Sequence, residues 1–155
     1  MSSNSDAAAA TFDGGFNCAQ AVLATFGPQF GLDRTLALRV AQGFGGGMGG
    51  QMGETCGAVT GAFMVLGLQS AKTGPGEDAA KQENCRLVNE FARRFRERHG
   101  SLLCRDLLGC DISTPEGMRQ AREQGLFKSR CPDFVRTAAE ILDDLAAAGH
   151  GPGPA

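Results

Sequence analysis

The chain has 155 residues, of which 15 are basic and 17 are acidic, so its formal net charge is −2 at pH 7. This balance excludes the strong basic excess of nucleic-acid-binding domains, while 42% hydrophobic residues are enough for the core of one domain. The apolar run 58–68 is too short to cross a bilayer and the first ten residues do not form a secretory signal, so we expect a cytoplasmic protein without membrane insertion.

Helical patterns predominate from the N-terminus, and strand-like alternation is weak. Residues 1–11 are predicted to be an N-terminal extension. Apolar residues at helical spacing follow, and two glycines divide this segment so that the helix proper begins near Asn17. The next helix is predicted to begin after Asp33, a suitable N-cap, and to end at Gly43.

A glycine-rich loop then leads to a helix predicted for residues 56–72. This helix is apolar on nearly all sides, which is typical of a central, buried helix. Gly57 and Gly61 lie four residues apart on one of its faces. Because glycine has no Cβ, we expect a neighbouring backbone to approach this face closely.

The second half of the chain is predicted to be helical as well. A long amphipathic helix is expected over residues 77–99, followed by a short helix that carries Cys104. Thr114 is a suitable cap for another short helix, and Pro132 is predicted at the first position of the last helix. The tail, 149–155, is predicted to be disordered.

Together these patterns predict an all-α, single-domain bundle of about five to seven helices. A glycine-rich loop precedes its buried central helix, and a four-cysteine helical domain is predicted over residues 12–148.

Four of the six cysteines fall at or near the start of a predicted helix. They are Cys18, Cys56, Cys104 and Cys131. Asn17 and Gln20 form a capping-box pattern around the first, Thr55 and Ser101 are predicted caps for the next two, and Pro132 follows the last. A helix N-terminus offers free N–H groups and a partial positive charge, both of which favour thiolate over thiol.

The glycine-rich loop is predicted to bring backbone amides up to a sulfur or an anion. The amides concerned are those of Gly45, Gly46, Gly47, Gly49 and Gly50. A close-packed crossing or a flexible lid is the alternative. A phosphate-binding loop is disfavoured, because no lysine with serine or threonine follows the glycines.

The spacing of the cysteines excludes several common sites. The chain has no C-x-x-C pair, so neither a thioredoxin motif nor a zinc ribbon is expected, and without C-x-x-C-H no covalent haem is expected. A site that uses these cysteines has to be assembled by the tertiary fold.

Four separated motifs carry a resemblance to a known family. They read GFNCAQAVL, GFGGGMGGQMGETCGAVTGAFMVLGL, CRDLLGCDISTPEG and CPDFVRTAAEIL. In this order, from Phe12 to Leu145, they resemble the C-GCAxxG-C-C family of redox-active proteins, although this chain reads CGAVTG where the family label has GCA. The resemblance implies that the four signature cysteines are the four named above, with Cys85 and Cys110 outside the signature.

Three functions are compatible with these cysteines. In the first, which we favour, Cys18, Cys56, Cys104 and Cys131 bind an iron–sulfur cluster or another thiophilic metal for electron transfer or redox sensing. In the second, the thiols form reversible disulfides, and Cys56 and Cys18 are the catalytic residues of a thiol–disulfide oxidoreductase. The third is a non-catalytic metal-storage or structural module. Whether the protein is an enzyme stays open. A redox partner protein is expected, no nucleic-acid partner is expected, and a homo-oligomer is compatible with the sequence.

Overall fold

The structure is a computed structural model that describes residues 3–147. Eight α-helices form within this range: α1 (Ser3–Asp13), α2 (Cys18–Phe26), α3 (Arg34–Ala41), α4 (Gly57–Gln69), α5 (Asp78–His99), α6 (Cys104–Leu108), α7 (Pro115–Glu123) and α8 (Leu126–Ala147). The all-α class is confirmed, and the count of eight helices exceeds the upper bound of the predicted five to seven by one. The predicted disordered tail, 149–155, lies outside the described residues.

The additional helix is α1, which occupies the segment predicted as an N-terminal extension. Ala8 and Ala9 are buried where α1 packs against α2 and α8. Asn4 also donates a 2.8 Å hydrogen bond to the Asp143 carboxylate of α8. The four alanines at 7–10 favour helix formation but give no contrast between an apolar and a polar face, so periodicity does not reveal this helix.

Side-chain caps begin three helices where the sequence places them. Asn17 accepts a hydrogen bond from the amide of Gln20, and the Gln20 side chain accepts one from the amide of Asn17, which completes the capping box of α2. At α3 the Asp33 side chain accepts a hydrogen bond from the amide of Leu36, and at α7 the Thr114 hydroxyl accepts one from the amide of Gly117, without a reciprocal bond. These caps involve residues three positions apart, so local sequence is sufficient to predict them.

The predicted start of the last helix is wrong. α8 begins at Leu126, so Pro132 lies inside the helix and Cys131 lies in its second turn rather than at its N-terminus. A proline within a helix removes one backbone hydrogen bond. Here the earlier turns are retained because Leu126 and Cys131 are buried in the core.

Two predicted caps are also wrong. Cys56 itself occupies the N-cap position of α4, and Thr55 does not cap this helix. Leu103 occupies the N-cap position of α6, while the hydroxyl of Ser101 accepts a 3.0 Å hydrogen bond from the amide of Leu103. The segments that directly precede α4 and α6 are extended and pair with each other, although they are distant along the chain.

Helix α4 lies in the centre of the bundle and packs most extensively against α2. A Cβ atom built on Gly61 would lie 2.9 Å from the carbonyl oxygen of Ala19, and one built on Gly57 would lie 2.9 Å from the amide nitrogen of Ala19. The predicted close approach is confirmed. Across residues 3–147, no helix combines the length and the apolar character that a membrane crossing requires.

Two glycines of α4 provide a matched test of this packing. We expect Gly61→Ala to lower the free energy of unfolding by about 2 kcal/mol, since the methyl group has to displace the backbone of α2. Gly67→Ala meets no atom within 4 Å and is expected to raise the free energy of unfolding by about 1 kcal/mol through helix propensity alone. Urea unfolding of both variants measures the difference, and equal shifts of the two midpoints would contradict the close packing.

Candidate functional site

The four cysteines singled out from the sequence line one cavity of about 570 Å³, which we call the thiol pocket. Cys18 begins α2, Cys56 precedes α4, Cys104 begins α6 and Cys131 lies in the second turn of α8. All six cysteines of the chain fall within the described residues and are free thiols. The remaining two lie outside the lining, since Cys85 is exposed and Cys110 is partly buried elsewhere.

Cys56 and Cys104 are brought together by an extended pairing of two distant segments. The amide of Cys56 donates a 2.8 Å hydrogen bond to the carbonyl of Leu102, and the amide of Cys104 donates a 2.6 Å bond to the carbonyl of Glu54. Between these two bonds, one residue from each segment forms an isolated antiparallel bridge. Neither segment has the alternation of a strand, so sequence patterns give no signal for this contact.

Cys18 and Cys56 are brought together by the close packing of α2 and α4. A Cβ atom built on Gly57 would lie 3.0 Å from the Cβ atom of Cys18. Cys131 and Cys56 both lie close enough to the Cys18 thiol to raise its pKa through side-chain hydrogen bonding. Cys18 is therefore the central thiol of the pocket.

The pocket makes these thiols chemically unequal. Hydrogen bonds to Cys131 and Cys56, together with burial, hold the pKa of Cys18 well above its ordinary value. The hydrogen bond from Cys18 lowers the pKa of Cys56, and the amides of Ala58 and Val59 lower it further against the opposing effect of burial. Cys56 thus ionises more readily than Cys18, which is its proton-bearing neighbour.

Burial raises the pKa of Cys104 to about 12, and the nearby Cys56, Cys131 and Cys110 add to the rise. The ordinary value is 9.0, so the unfolded chain loses this proton first as the pH rises. We expect Cys104 to make its full contribution to the free energy of unfolding below pH 9.0. Between pH 9.0 and about 12 this contribution should fall by about 1 kcal/mol per pH unit.

Urea unfolding of the reduced protein across this pH range measures the decline. The Cys104→Ala variant is expected to lose stability less steeply with pH than the parent protein. The matched control is Cys85→Ala, which removes an exposed thiol and should keep the parent slope. A Cys104→Ala slope equal to that of the parent would contradict the assignment.

The glycine-rich loop, residues 45–56, is folded tightly upon itself. The amide of Gly49 donates a 2.8 Å hydrogen bond to the carbonyl of Gly43, and the amide of Gly50 donates a 2.9 Å bond to the carbonyl of Gly45. These two amides are engaged within the loop. They therefore give no support to the prediction that loop amides bond to a sulfur or an anion, and it stays a prediction.

The amides that bond to the sulfur of Cys56 belong instead to Ala58 and Val59, in the first turn of α4. The sequence predicted that a helix N-terminus stabilises the Cys56 thiolate, and it predicted the same role for the loop. Contacts from the other predicted loop amides, those of Gly45, Gly46 and Gly47, stay a prediction. Gly45 and Gly46 line the thiol pocket and Gly47 lies outside its lining.

The donor set of the pocket does not fit a single metal ion. Across residues 3–147, no group of three or more His, Cys, Asp or Glu side chains could hold one. The four cysteines share a cavity, and the iron–sulfur or metal binding that the sequence favours stays a prediction.

One family model matches residues 16–145, and its description reads "Putative redox-active protein (C_GCAxxG_C_C)". This range includes all four cysteines of the thiol pocket. No curated protein and no solved structure matches the chain.

Proposed function

Because the chain belongs to the C_GCAxxG_C_C family of redox-active proteins, we propose that it performs thiol–disulfide exchange in the thiol pocket, with Cys56 as the attacking thiolate and Cys18 as the resolving thiol. The observation that carries the proposal is that Cys18 and Cys56 line one pocket at the close crossing of α2 and α4, where a Cβ atom built on Gly57, next to Cys56, would lie 3.0 Å from the Cβ atom of Cys18. This reverses the order of the two hypotheses drawn from the sequence, because across residues 3–147 no group of three or more donor side chains could hold a single metal ion.

The polarity of the pair suits this division of labour. Exchange begins with a thiolate, and Cys56 has the lowered pKa that favours one. Exchange ends when a second thiol attacks the mixed disulfide, and Cys18 lies next to the sulfur that it would attack. Return of the oxidised pair to two thiols requires an external thiol reductant, which a reducing compartment supplies, in keeping with the predicted cytoplasmic location.

The reaction transfers two electrons. The Cys56 thiolate attacks one sulfur of a disulfide R–S–S–R, so that a Cys56–S–S–R bond forms, the S–S bond of the substrate breaks and R–S⁻ leaves. The Cys18 sulfur then attacks the Cys56 sulfur and releases the second R–S⁻, while its proton passes to a departing thiolate. The cysteine pair is oxidised to a disulfide and the substrate is reduced to two thiols.

A second candidate is an iron–sulfur centre held by Cys18, Cys56, Cys104 and Cys131. Its support is that four thiols line one cavity, which is more than exchange requires. Four cysteine thiolates are the usual ligands of such clusters. This candidate ranks second because, across residues 3–147, no group of three or more donor side chains could hold a single metal ion.

Metal analysis and disulfide mapping on the full chain distinguish the two candidates. The protein is purified without oxygen, assayed for iron and acid-labile sulfide, then reduced and treated with one equivalent of a small disulfide. We expect a colourless protein whose six thiols fall to four, with Cys18 and Cys56 joined in the peptide map. Stoichiometric iron and sulfide would support the second candidate instead, and a disulfide between Cys18 and Cys131 would overturn the assignment of the pair.

A further inference from the structure

The sulfurs of the thiol pocket lie below the surface. The exposed fractions of Cys18, Cys56, Cys104 and Cys131 are 8%, 4%, 7% and 6%. A disulfide held in a folded protein has to reach the attacking sulfur in line, and the walls of the pocket stand between such a partner and Cys56. A small molecule can enter, since the volume of about 570 Å³ lies within the range of small-molecule sites.

The walls of the pocket are apolar and aromatic. Four phenylalanines and two leucines line it: Phe12, Phe16, Phe127, Phe134, Leu107 and Leu108. Among the described residues of the lining there is no Asp, Glu, Lys, Arg or His. A charged substrate would therefore lose its hydration in the pocket without gaining an ionic partner.

The polar side chains of the lining, apart from the thiols, are Asn17 and Gln42, and both have partners within the protein. Asn17 donates a 3.0 Å hydrogen bond to the carbonyl of Gln42 and accepts one from the amide of Gln20. The side-chain oxygen of Gln42 accepts a 3.2 Å bond from Gln20. These side chains are thus engaged in holding α2 and the loop together rather than directed to a polar substrate.

Resting on the exchange activity proposed above, we propose that the substrate is a small, neutral disulfide with aromatic or other apolar substituents. Its ring packs among the phenylalanines while its S–S bond reaches Cys56. After attack by Cys56 and then by Cys18, the products are two apolar thiols and the oxidised cysteine pair. A dianionic disulfide and a protein disulfide are excluded by desolvation and by access, respectively.

Single-turnover kinetics with matched probes test this substrate class. The protein carries Cys85→Ser and Cys110→Ser, so that thiols outside the pocket do not contribute. The neutral aromatic probe is 2,2′-dithiodipyridine, the dianionic aromatic probe is 5,5′-dithiobis(2-nitrobenzoate), and insulin serves as the protein disulfide. Each rate is divided by the rate of the same probe with the urea-unfolded chain, which removes differences in intrinsic reactivity.

We expect the normalised rate of the neutral probe to exceed that of the dianionic probe by more than about tenfold. No transfer to insulin is expected. Phe16 is exposed at the rim, so both Phe16→Arg and Phe16→Leu should fold. The arginine should shift the preference toward the dianionic probe, and the leucine should leave the preference unchanged. Arg34 lies over the Phe16 ring, 6.0 Å from its centroid and outside the lining, so Arg34→Gln should leave the preference unchanged.

The outcomes separate this inference from the exchange activity. Equal normalised rates for the two aromatic probes, with the Cys18–Cys56 disulfide formed, would overturn the substrate class and leave the exchange activity intact. Rapid reduction of insulin would do the same. Failure of every probe to oxidise the pair would overturn both.

Discussion

Cys56→Ser is expected to slow disulfide reduction by roughly 1000-fold or more, because it removes the nucleophile and with it the first bond-forming step. Cys18→Ser is expected to behave differently. Its Cys56 thiolate still attacks, but no neighbouring thiol resolves the mixed disulfide, so the reaction stops after one equivalent of R–SH instead of two. Stopped-flow absorbance of the released thiopyridone gives the rate and the stoichiometry, and intact mass shows the trapped adduct on Cys56.

The two cysteines outside the pocket supply the controls. Cys85→Ser and Cys110→Ser, alone and together, should keep the rate and the stoichiometry of the parent protein at the pocket. Release of two equivalents by Cys18→Ser would show that another thiol resolves the adduct. Cys131 would be the first to examine, since it also forms a hydrogen bond with Cys18.

Gly46→Ala is expected to cause a large loss of stability, about 3 kcal/mol of unfolding free energy. Gly46 has φ +62°, a left-handed conformation, and a Cβ atom there would lie 2.4 Å from the carbonyl carbon and oxygen of Gly50. Backbone strain and a clash with backbone therefore act together. Gly50→Ala isolates the strain, because Gly50 has φ +79° but no atom within 4 Å of the added Cβ.

Gly50→Ala should accordingly lower the unfolding free energy by only about 1–2 kcal/mol. Chemical denaturation measures both variants, and the pH dependence of Cys56 alkylation is recorded at temperatures where each is folded. Because Ala58 and Val59 supply the amides at the Cys56 sulfur, we expect the alkylation profile to stay the same. A raised apparent pKa of Cys56 in the folded Gly46→Ala variant would show that the loop does stabilise the Cys56 thiolate.

Helix boundaries set by short-range chemistry are predictable from this sequence. Asn17, Asp33 and Thr114 each bond to an amide three residues further on, so the cap and its partner lie within one turn. Boundaries set by packing are not predictable in this way. Pro132 is compatible with a helix start, and only the burial of Leu126 in the assembled core explains why α8 begins earlier.

The membership of the site was predictable, but its internal geometry was not. Placement near helix starts and the resemblance to a family single out four cysteines, and all four line the thiol pocket. The sequence gives no sign that Cys18 contacts both Cys56 and Cys131. That contact depends on how closely α2 and α4 approach at Gly57, and such interhelical distances are set by tertiary packing.

The thiol pocket draws its cysteines from four helical segments that are distant along the chain, from Cys18 to Cys131. No isolated hairpin or helix pair contains the whole site, so the site exists only while the domain is cooperatively folded. Slow exchange of the Cys56 and Cys104 amides, which bond to the facing segment, therefore reports the opening of the fold. A destabilised variant would lose the chemical differences among its thiols together with its helices, and its cysteines would then react as those of any unstructured peptide.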